Sequence, residues 1–283
     1  MDSSFEYYIG LLEQTLGIPF TSGNSIQVLK NGDRIFPAML KAIDQAKERV
    51  EFLTFIFWTG NIAHKFAHAL ASKAEEGVEV FVILDSFGAA DMPEELYELM
   101  KKKGVQVEFF RPLTRWKFWK LDNRTHRKVL ICDGEVALTG GVGIAGEWEG
   151  DARNENEWRD THFLIKGPAV FGLQAAFMEN WTEAGRSLKF DHTLKAGADP
   201  DQKVAVQVIR LCCVGSANFN HRSMLKDDEI NVVILDEKVT GELNDHFEDD
   251  LKHCEKVETG QWKKRSLLNR ATEKITHLLD DQI

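Results

Sequence analysis

The strongest constraint on the fold is an alternation of apolar runs with helical periodicity. Val50 to Phe57, Val78 to Leu84 and Val105 to Phe110 are short apolar runs, most of them rich in β-branched and aromatic residues, and read as buried strands. Between them, Ile62 to Glu75 puts Phe66, Ala67, Leu70 and Ala74 on one helical face. Pro93 to Lys103 reads as a second helix with proline at its first turn. Strands alternating with helices predict an α/β layered fold, with a mixed sheet flanked by helices.

The remaining segments extend the pattern. Residues 4–16 read as a short amphipathic helix, Gly23-Asn24 as a turn, and Ile26 to Leu29 as a strand ended by a hairpin-type turn at Asn31-Gly32. Phe36 to Ala46 has helical spacing. Val129 to Cys132 and Val136 to Leu138 read as a strand pair around Asp133-Gly134. Thr161 to Ile165 is a further strand and Ala169 to Ala184 a helix. Residues 187–203 are polar, with Gly197 and Pro200, and read as a linker between a first lobe (1–186) and a second segment (204–283). In that segment Val204 to Ile209, Leu211 to Val214 and Ile230 to Leu235 are strand-like. Residues 239–256 and 262–280 read as helices, the last a solvated helix packed on the core or, given Lys263-Lys264-Arg265, a membrane-surface helix.

Composition narrows the classes. The 283 residues suffice for a sizeable core, and 43% hydrophobic with 28% charged residues is ordinary for a globular chain. A net charge of -10 argues against indiscriminate nucleic-acid binding, and no specific nucleic acid is expected. Four cysteines are too few for a disulfide framework and suit a reducing compartment. No apolar run reaches the length of about 18 residues that marks a membrane span. The first ten residues carry no basic cluster and do not read as a secretory signal. A cytoplasmic protein, soluble or peripheral to a membrane, is expected.

The chemistry concentrates at His126-Arg127-Lys128, followed by Asp133 and then Gly140-Gly141. On a strand, residues two apart share a face, so His126 and Lys128 converge on one ligand. A neutral imidazole can attack phosphorus, and an ammonium can neutralise the non-bridging oxygens. Asp133, at the turn, either orients one of these groups or holds the loop. No second His or Cys stands at ligand spacing, so neither a metal nor another cofactor is expected; His64 and His68 share a helical face but lack a third ligand. Residues 111–128 hold seven basic residues against Asp122, with Trp116, Phe118 and Trp119 interleaved. That composition suits an anionic membrane surface or phosphate head group, stacking with single-stranded nucleic acid, or a plain solvated loop.

These residues resemble the phospholipase D superfamily, whose motif is HxK(x)4D(x)6GSxN, and within it the cardiolipin synthase group. The resemblance rests on residues 123–128, on Thr139 to Ala145, on Trp158-Arg159-Asp160-Thr161-His162, on Gly215-Ser216-Ala217-Asn218 and on Asp228-Glu229-Ile230-Asn231. It implies two similar α/β lobes that each give one motif to a shared site, a phosphohistidine intermediate on one histidine, a proton from the other, and no metal. It assigns catalysis to His126, Lys128 and Asp133, and makes Asp160 the carboxylate that orients the histidine of its own half. Gly140, Gly141, Ser216, Asn218 and Glu229 fall around the substrate phosphate, Glu229 as the carboxylate for the second histidine.

The chain departs from the pattern in its second half. Val208 to Val214 contains neither His-x-Lys nor the aspartate, so the middle of the second lobe is missing and Glu229 is left with no histidine to orient. Gly141 and Gly143 stand where the general motif has Ser and Asn. Three readings follow: a phosphatidyl transferase or phosphodiesterase on glycerophospholipids, completed as a homodimer with both His126 residues in one cleft; a catalytically impaired lipid-binding remnant; and a nucleic-acid phosphodiesterase.

Overall fold

The structure, a computed structural model, describes residues 3–112, 124–186, 195–209 and 227–256. Its elements are α1 (Ser3–Leu16), β1 (Thr21–Lys30), α2 (Gly32–Gln45), β2 (Arg49–Thr54), α3 (Asn61–Glu75), β3 (Glu79–Asp85), α4 (Glu94–Lys102), β4 (Gln106–Phe110), β5 (Val129–Cys132), β6 (Val136–Gly140), β7 (Thr161–Lys166), α5 (Ala169–Glu183), β8 (Val204–Ile209), β9 (Asn231–Leu235) and α6 (Glu237–Leu251). Among the described residues the nine strands join one mixed sheet, ordered β4-β3-β2-β5-β6-β7-β1-β8-β9. β2, β3 and β4 run parallel; every other pairing is antiparallel.

The period-two alternation of strands sorts side chains into two cores. Val50 and Phe52 of β2, Val80 and Val82 of β3, and Leu130 of β5 point to the face covered by α2, α3 and α4. Leu53, Phe81, Ile83, Val129 and Ile131 point to the other face, where α5 lies. α5 touches β2 and β4–β7 and also β8, so the sheet curls around it. Its residues Val170, Leu173, Phe177 and Trp181 are buried in this second core together with Val206 and Val208 of β8.

Several sequence expectations change in the folded chain. Gly23-Asn24 is not a turn but an irregularity within β1, where the register against β8 shifts. Asn31-Gly32 is not a hairpin: Asn31 takes φ 61° and the chain passes straight into α2. Glycine is required there by close approach, since a Cβ on Gly32 would lie 1.9 Å from the Trp148 carbonyl oxygen. Asp133-Gly134 does form the expected hairpin, both residues at positive φ (55° and 66°), as a two-residue turn of that hand requires. The strands after the expected linker do not build a sheet of their own; β8 pairs with β1 and β9 pairs with β8. Residues 187–194, 211–214 and 262–280, expected as linker, strand and helix, lie outside the described residues.

One charged group sits inside the second core. Glu51 of β2 is 1% exposed, accepts two hydrogen bonds from Gln174 of α5 (2.9 and 3.2 Å), and lies 3.6 Å from Arg49. Burial pushes its carboxyl up to about 7, against the opposing pull of Gln174 and Arg49. The folded state therefore binds a proton that the unfolded chain releases at ordinary carboxylate pH, and Glu51 destabilises the fold increasingly as pH rises from 4.5 through about 7. Glu51→Gln is expected to stabilise the protein by about 1–3 kcal/mol at pH 8 and by little at pH 5, read from denaturant melts at the two pH values. Equal effects at both would show the buried carboxyl to be unshifted.

Candidate active site

The site forms at the carboxyl ends of the parallel strands, the usual position for ligands in open α/β sheets. Phe55 follows β2, Asp85 ends β3, and the segment leading into β5 returns to the same edge. That segment, Arg124 to Lys128, is fixed by a second stretch from far along the chain. Thr125 and Asp228 form an isolated parallel bridge, in which His126 N–H donates to the Asp228 carbonyl (2.9 Å) and Asp228 N–H to that of Arg124 (2.8 Å). Asp227 accepts from Arg124 N–H (3.0 Å), and Asp85 from Thr125 N–H (3.2 Å).

This pairing puts the Glu229 carboxylate on His126 Nδ1, at 2.9 and 3.2 Å. The expectation that Glu229 lacks a histidine is thereby overturned: the carboxylate expected to serve the second motif serves the first. A carboxylate on Nδ1 holds that nitrogen protonated, which leaves the lone pair on Nε2. The ring is also edge-on to Phe55, centroids 5.2 Å apart.

A buried polar set from α5 backs the pair. Arg127 turns away from the cavity and donates to the Glu229 carbonyl (3.2 Å), the Ala176 carbonyl (3.0 Å) and Asn180 Oδ1 (3.1 Å), and pairs with Glu179 at 2.9 Å. Asn180 donates in turn to Asp228 (2.9 Å). The alternation His-in, Arg-back, Lys-in is the strand period at work. These partners were missed in the sequence because no spacing links residues 127, 180 and 228.

Lys128 donates to the His126 carbonyl (2.8 Å), and its ammonium stands over the Phe55 ring at 5.7 Å. Burial pulls its pKa down to about 8, although the carboxylates of Glu229 and Asp160 pull upward. Asp160 accepts from Thr161 N–H (2.7 Å) and Gly141 N–H (3.1 Å) and feels Lys128; burial still raises its pKa. The role expected for Asp160, orienting His126, is filled by Glu229, and Asp160 instead fixes the Gly141 backbone beside Lys128. The Asn31 turn holds it, accepting from Asp160 N–H (3.2 Å) and donating to its carbonyl (3.0 Å).

Asp133 stands apart from this cluster. Five residues of strand at about 3.3 Å each carry it roughly 16 Å from Lys128, to the opposite end of β5. There it accepts from the backbone N–H groups of Lys47, Glu48 and Arg49 at 2.9, 2.8 and 2.9 Å. Of its two expected roles, it holds the loop. The glycines answer to packing: a Cβ on Gly140 would lie 2.2 Å from His162 Nδ1, and one on Gly141 2.4 Å from Asp160 Oδ2. His162, beneath Gly140, is pushed down to about 3 by burial and the nearby Lys128, and so stays neutral. Ser216 and Asn218 lie outside the described residues, as do residues 113–123 of the basic-aromatic stretch.

His126, Lys128, Gly141 and Asp160 line one cavity of about 610 Å³ with Phe55, Ile56, Trp148, Glu157, Trp158 and Arg159. It thus combines a carboxylate-backed imidazole, an ammonium and an aromatic wall, in a volume that suits an organic molecule. Among the described residues no group of three metal-ligating side chains comes together.

Two substitutions test this layout. Gly141→Ser, which restores the general family residue, is expected to lower the melting temperature, because Asp160 is pinned by two backbone N–H groups and cannot make way for the Cβ. Asp133→Ala is expected to cost about 1–2 kcal/mol in a denaturant melt through three lost acceptor contacts, two of them at exposed positions. A Gly141→Ser protein as stable as the parent would contradict the packing given for Asp160.

The family model described as "Cardiolipin synthase, PLD-like domain" matches residues 39–158 and 174–251. Cardiolipin synthase 1 of Bacillus cereus is 34% identical over 173 residues, 61% of this chain and 34% of that one, so the chain spans about a third of its length. The cardiolipin synthase of Clostridium perfringens strain 13 is 25% identical over 367 positions, taking in 92% of this chain and 77% of that protein. Since 92% of 283 residues is about 260, about a hundred of those positions have no residue here. Among solved structures, the phospholipase D family member Nuc of Salmonella typhimurium is similar at 17% identity over 56% of this chain and 95% of its own, with a TM-score of 0.43. With the family model covering well over half of its residues, the chain belongs to the cardiolipin synthase, PLD-like domain family.

Proposed function

We propose that the chain transfers phosphatidyl groups of glycerophospholipids through a phosphohistidine on His126. The observation that carries this reading is the Glu229 carboxylate on His126 Nδ1, with Lys128 in the same cavity. Nε2 of His126 attacks phosphorus and the bond to the head-group oxygen breaks. That oxygen leaves with a proton from a general acid. An alcohol, or water, then gives its proton to the same group as its oxygen bonds to phosphorus, and the phosphorus–nitrogen bond opens. Lys128 offsets the negative charge on the non-bridging oxygens, and Glu229 stabilises the positive imidazole. His126 is the one histidine lining the cavity among the described residues. The general acid is therefore assigned to His126 of a second copy across a two-fold axis, an arrangement in which each chain supplies the same patch.

Family membership and the cavity's apolar wall beside its cations support this substrate class. Among the described residues no helix is long and apolar enough to cross a membrane, and the basic residues Arg124, Arg127 and Lys128 stand at or beside the site. Peripheral attachment to an anionic membrane surface in the cytoplasm is the accompanying proposal.

Head-group release from phosphatidylglycerol vesicles is expected from the purified protein and not from His126→Ala. A folded sample with no turnover in either would favour the lipid-binding remnant. Glu229→Gln is expected to lower kcat about a hundredfold or more, since the amide no longer stabilises a charged imidazole. Above about pH 8 Lys128 loses its proton, and kcat/KM should fall about tenfold per pH unit, read from the pH profile. Sedimentation that finds an active monomer would contradict the shared site.

A further inference from the structure

We propose that Asp85 is a positioning residue for the transfer reaction: its two carboxylate oxygens hold, separately, the backbone that precedes His126 and the turn packed against Phe55. The inference rests on the phosphohistidine reading above and adds to it a residue outside the segments that carry the family resemblance. Asp85 ends β3 and is fully buried. Its Oδ1 accepts from the N–H groups of Phe87 (2.9 Å) and Gly88 (3.2 Å). Its Oδ2 accepts from Thr125 N–H (3.2 Å). The Arg124 guanidinium stands 3.6 Å from Oδ1. Both segments held in this way reach the cavity. Thr125 is the residue before His126. Gly88 lies close on Phe55, where a Cβ would come within 2.1 Å of the Phe55 carbonyl oxygen. The Phe55 ring in turn meets His126 edge-on at 5.2 Å and the Lys128 ammonium at 5.7 Å.

The turn alone does not call for a carboxylate. An asparagine can cap such a turn through its one oxygen, and a buried charge is costly. Burial raises the Asp85 pKa above the ordinary carboxylate value, against the opposing pull of Arg124 and of the three N–H groups. What a carboxylate adds over an amide is a second acceptor and a negative charge, and both serve the motif. The acceptor fixes Thr125. The charge acts on Lys128, whose protonated form is favoured by Glu229, Asp160, Asp85 and Asp227. Of the two histidines near Lys128, His126 lies in the same cavity and His162 is kept neutral by burial.

Asp85→Asn keeps an acceptor for the turn and removes both the acceptor for Thr125 and the charge. With phosphatidylglycerol vesicles as substrate, kcat is expected to fall about tenfold with KM nearly unchanged. The alkaline limb of the pH profile is expected to move down from about 8 by about half a pH unit, because Lys128 loses a nearby negative charge. Asp85→Glu keeps the charge but displaces both oxygens by a methylene, so its limb is expected to stay at the parent's pH while kcat remains low. A limb unmoved in Asp85→Asn, or a kcat equal to the parent's in either variant, overturns the assignment. If the parent protein turns over no lipid, the phosphohistidine reading itself has failed. Asp85 is then tested on the folded protein by two NMR measurements, hydrogen exchange of the Thr125 amide and titration of the Lys128 side chain. Faster exchange together with a lower Lys128 midpoint in Asp85→Asn supports the role, and either one unchanged overturns it.

Discussion

The contact between Glu229 and His126 organises this molecule. It joins residues 103 positions apart, and it exists only because two short backbone stretches, 124–126 and 227–229, bridge in parallel at the edge of the sheet. A buried carboxylate would be costly alone; on an imidazole that can take up positive charge it becomes useful. The cost is also met from behind. Arg127 and Asn180 hold the Glu229 backbone and the neighbouring Asp228 against α5, so the carboxylate cannot leave without breaking a buried network.

That dependence explains why the second segment of the chain lies where it does. β8 and β9 extend the sheet past β1 and close the far side of α5, which brings the residues before β9 back to the start of β5. The apolar contacts of Val206 and Val208 with α5 and the polar contacts of Asp227 to Glu229 with the motif are two faces of one docking event. Substitutions at the β8–α5 contact would therefore be felt at His126 through displacement of Glu229, although they lie in a different layer.

Much of the architecture was legible in the sequence because strands and helices announce themselves locally. The runs at Val50, Val78 and Val105 became β2, β3 and β4, and Asp133-Gly134 made its hairpin, since positive φ at both positions is a local property. What failed were inferences that treated sequence distance as spatial distance. Asp133 is five residues from Lys128 yet at the other end of a strand, while Glu229 is a hundred residues from His126 and touches it. Asn31-Gly32 was misread because a turn signal does not say what element follows it. The role of Arg127 was hidden in a motif position that any residue can occupy; only the strand alternation, combined with the place of α5, gives it a partner.

The central proposal is that His126, its Nδ1 held by Glu229, bonds to phosphorus through Nε2. Its most direct test is rapid-quench trapping with phosphatidylglycerol labelled at phosphorus, followed by peptide mapping of the acid-labile adduct. The account predicts label on the peptide containing His126, formed before head-group release is complete and more slowly in Glu229→Gln. Turnover without any label on that peptide, or label on another residue, would contradict it.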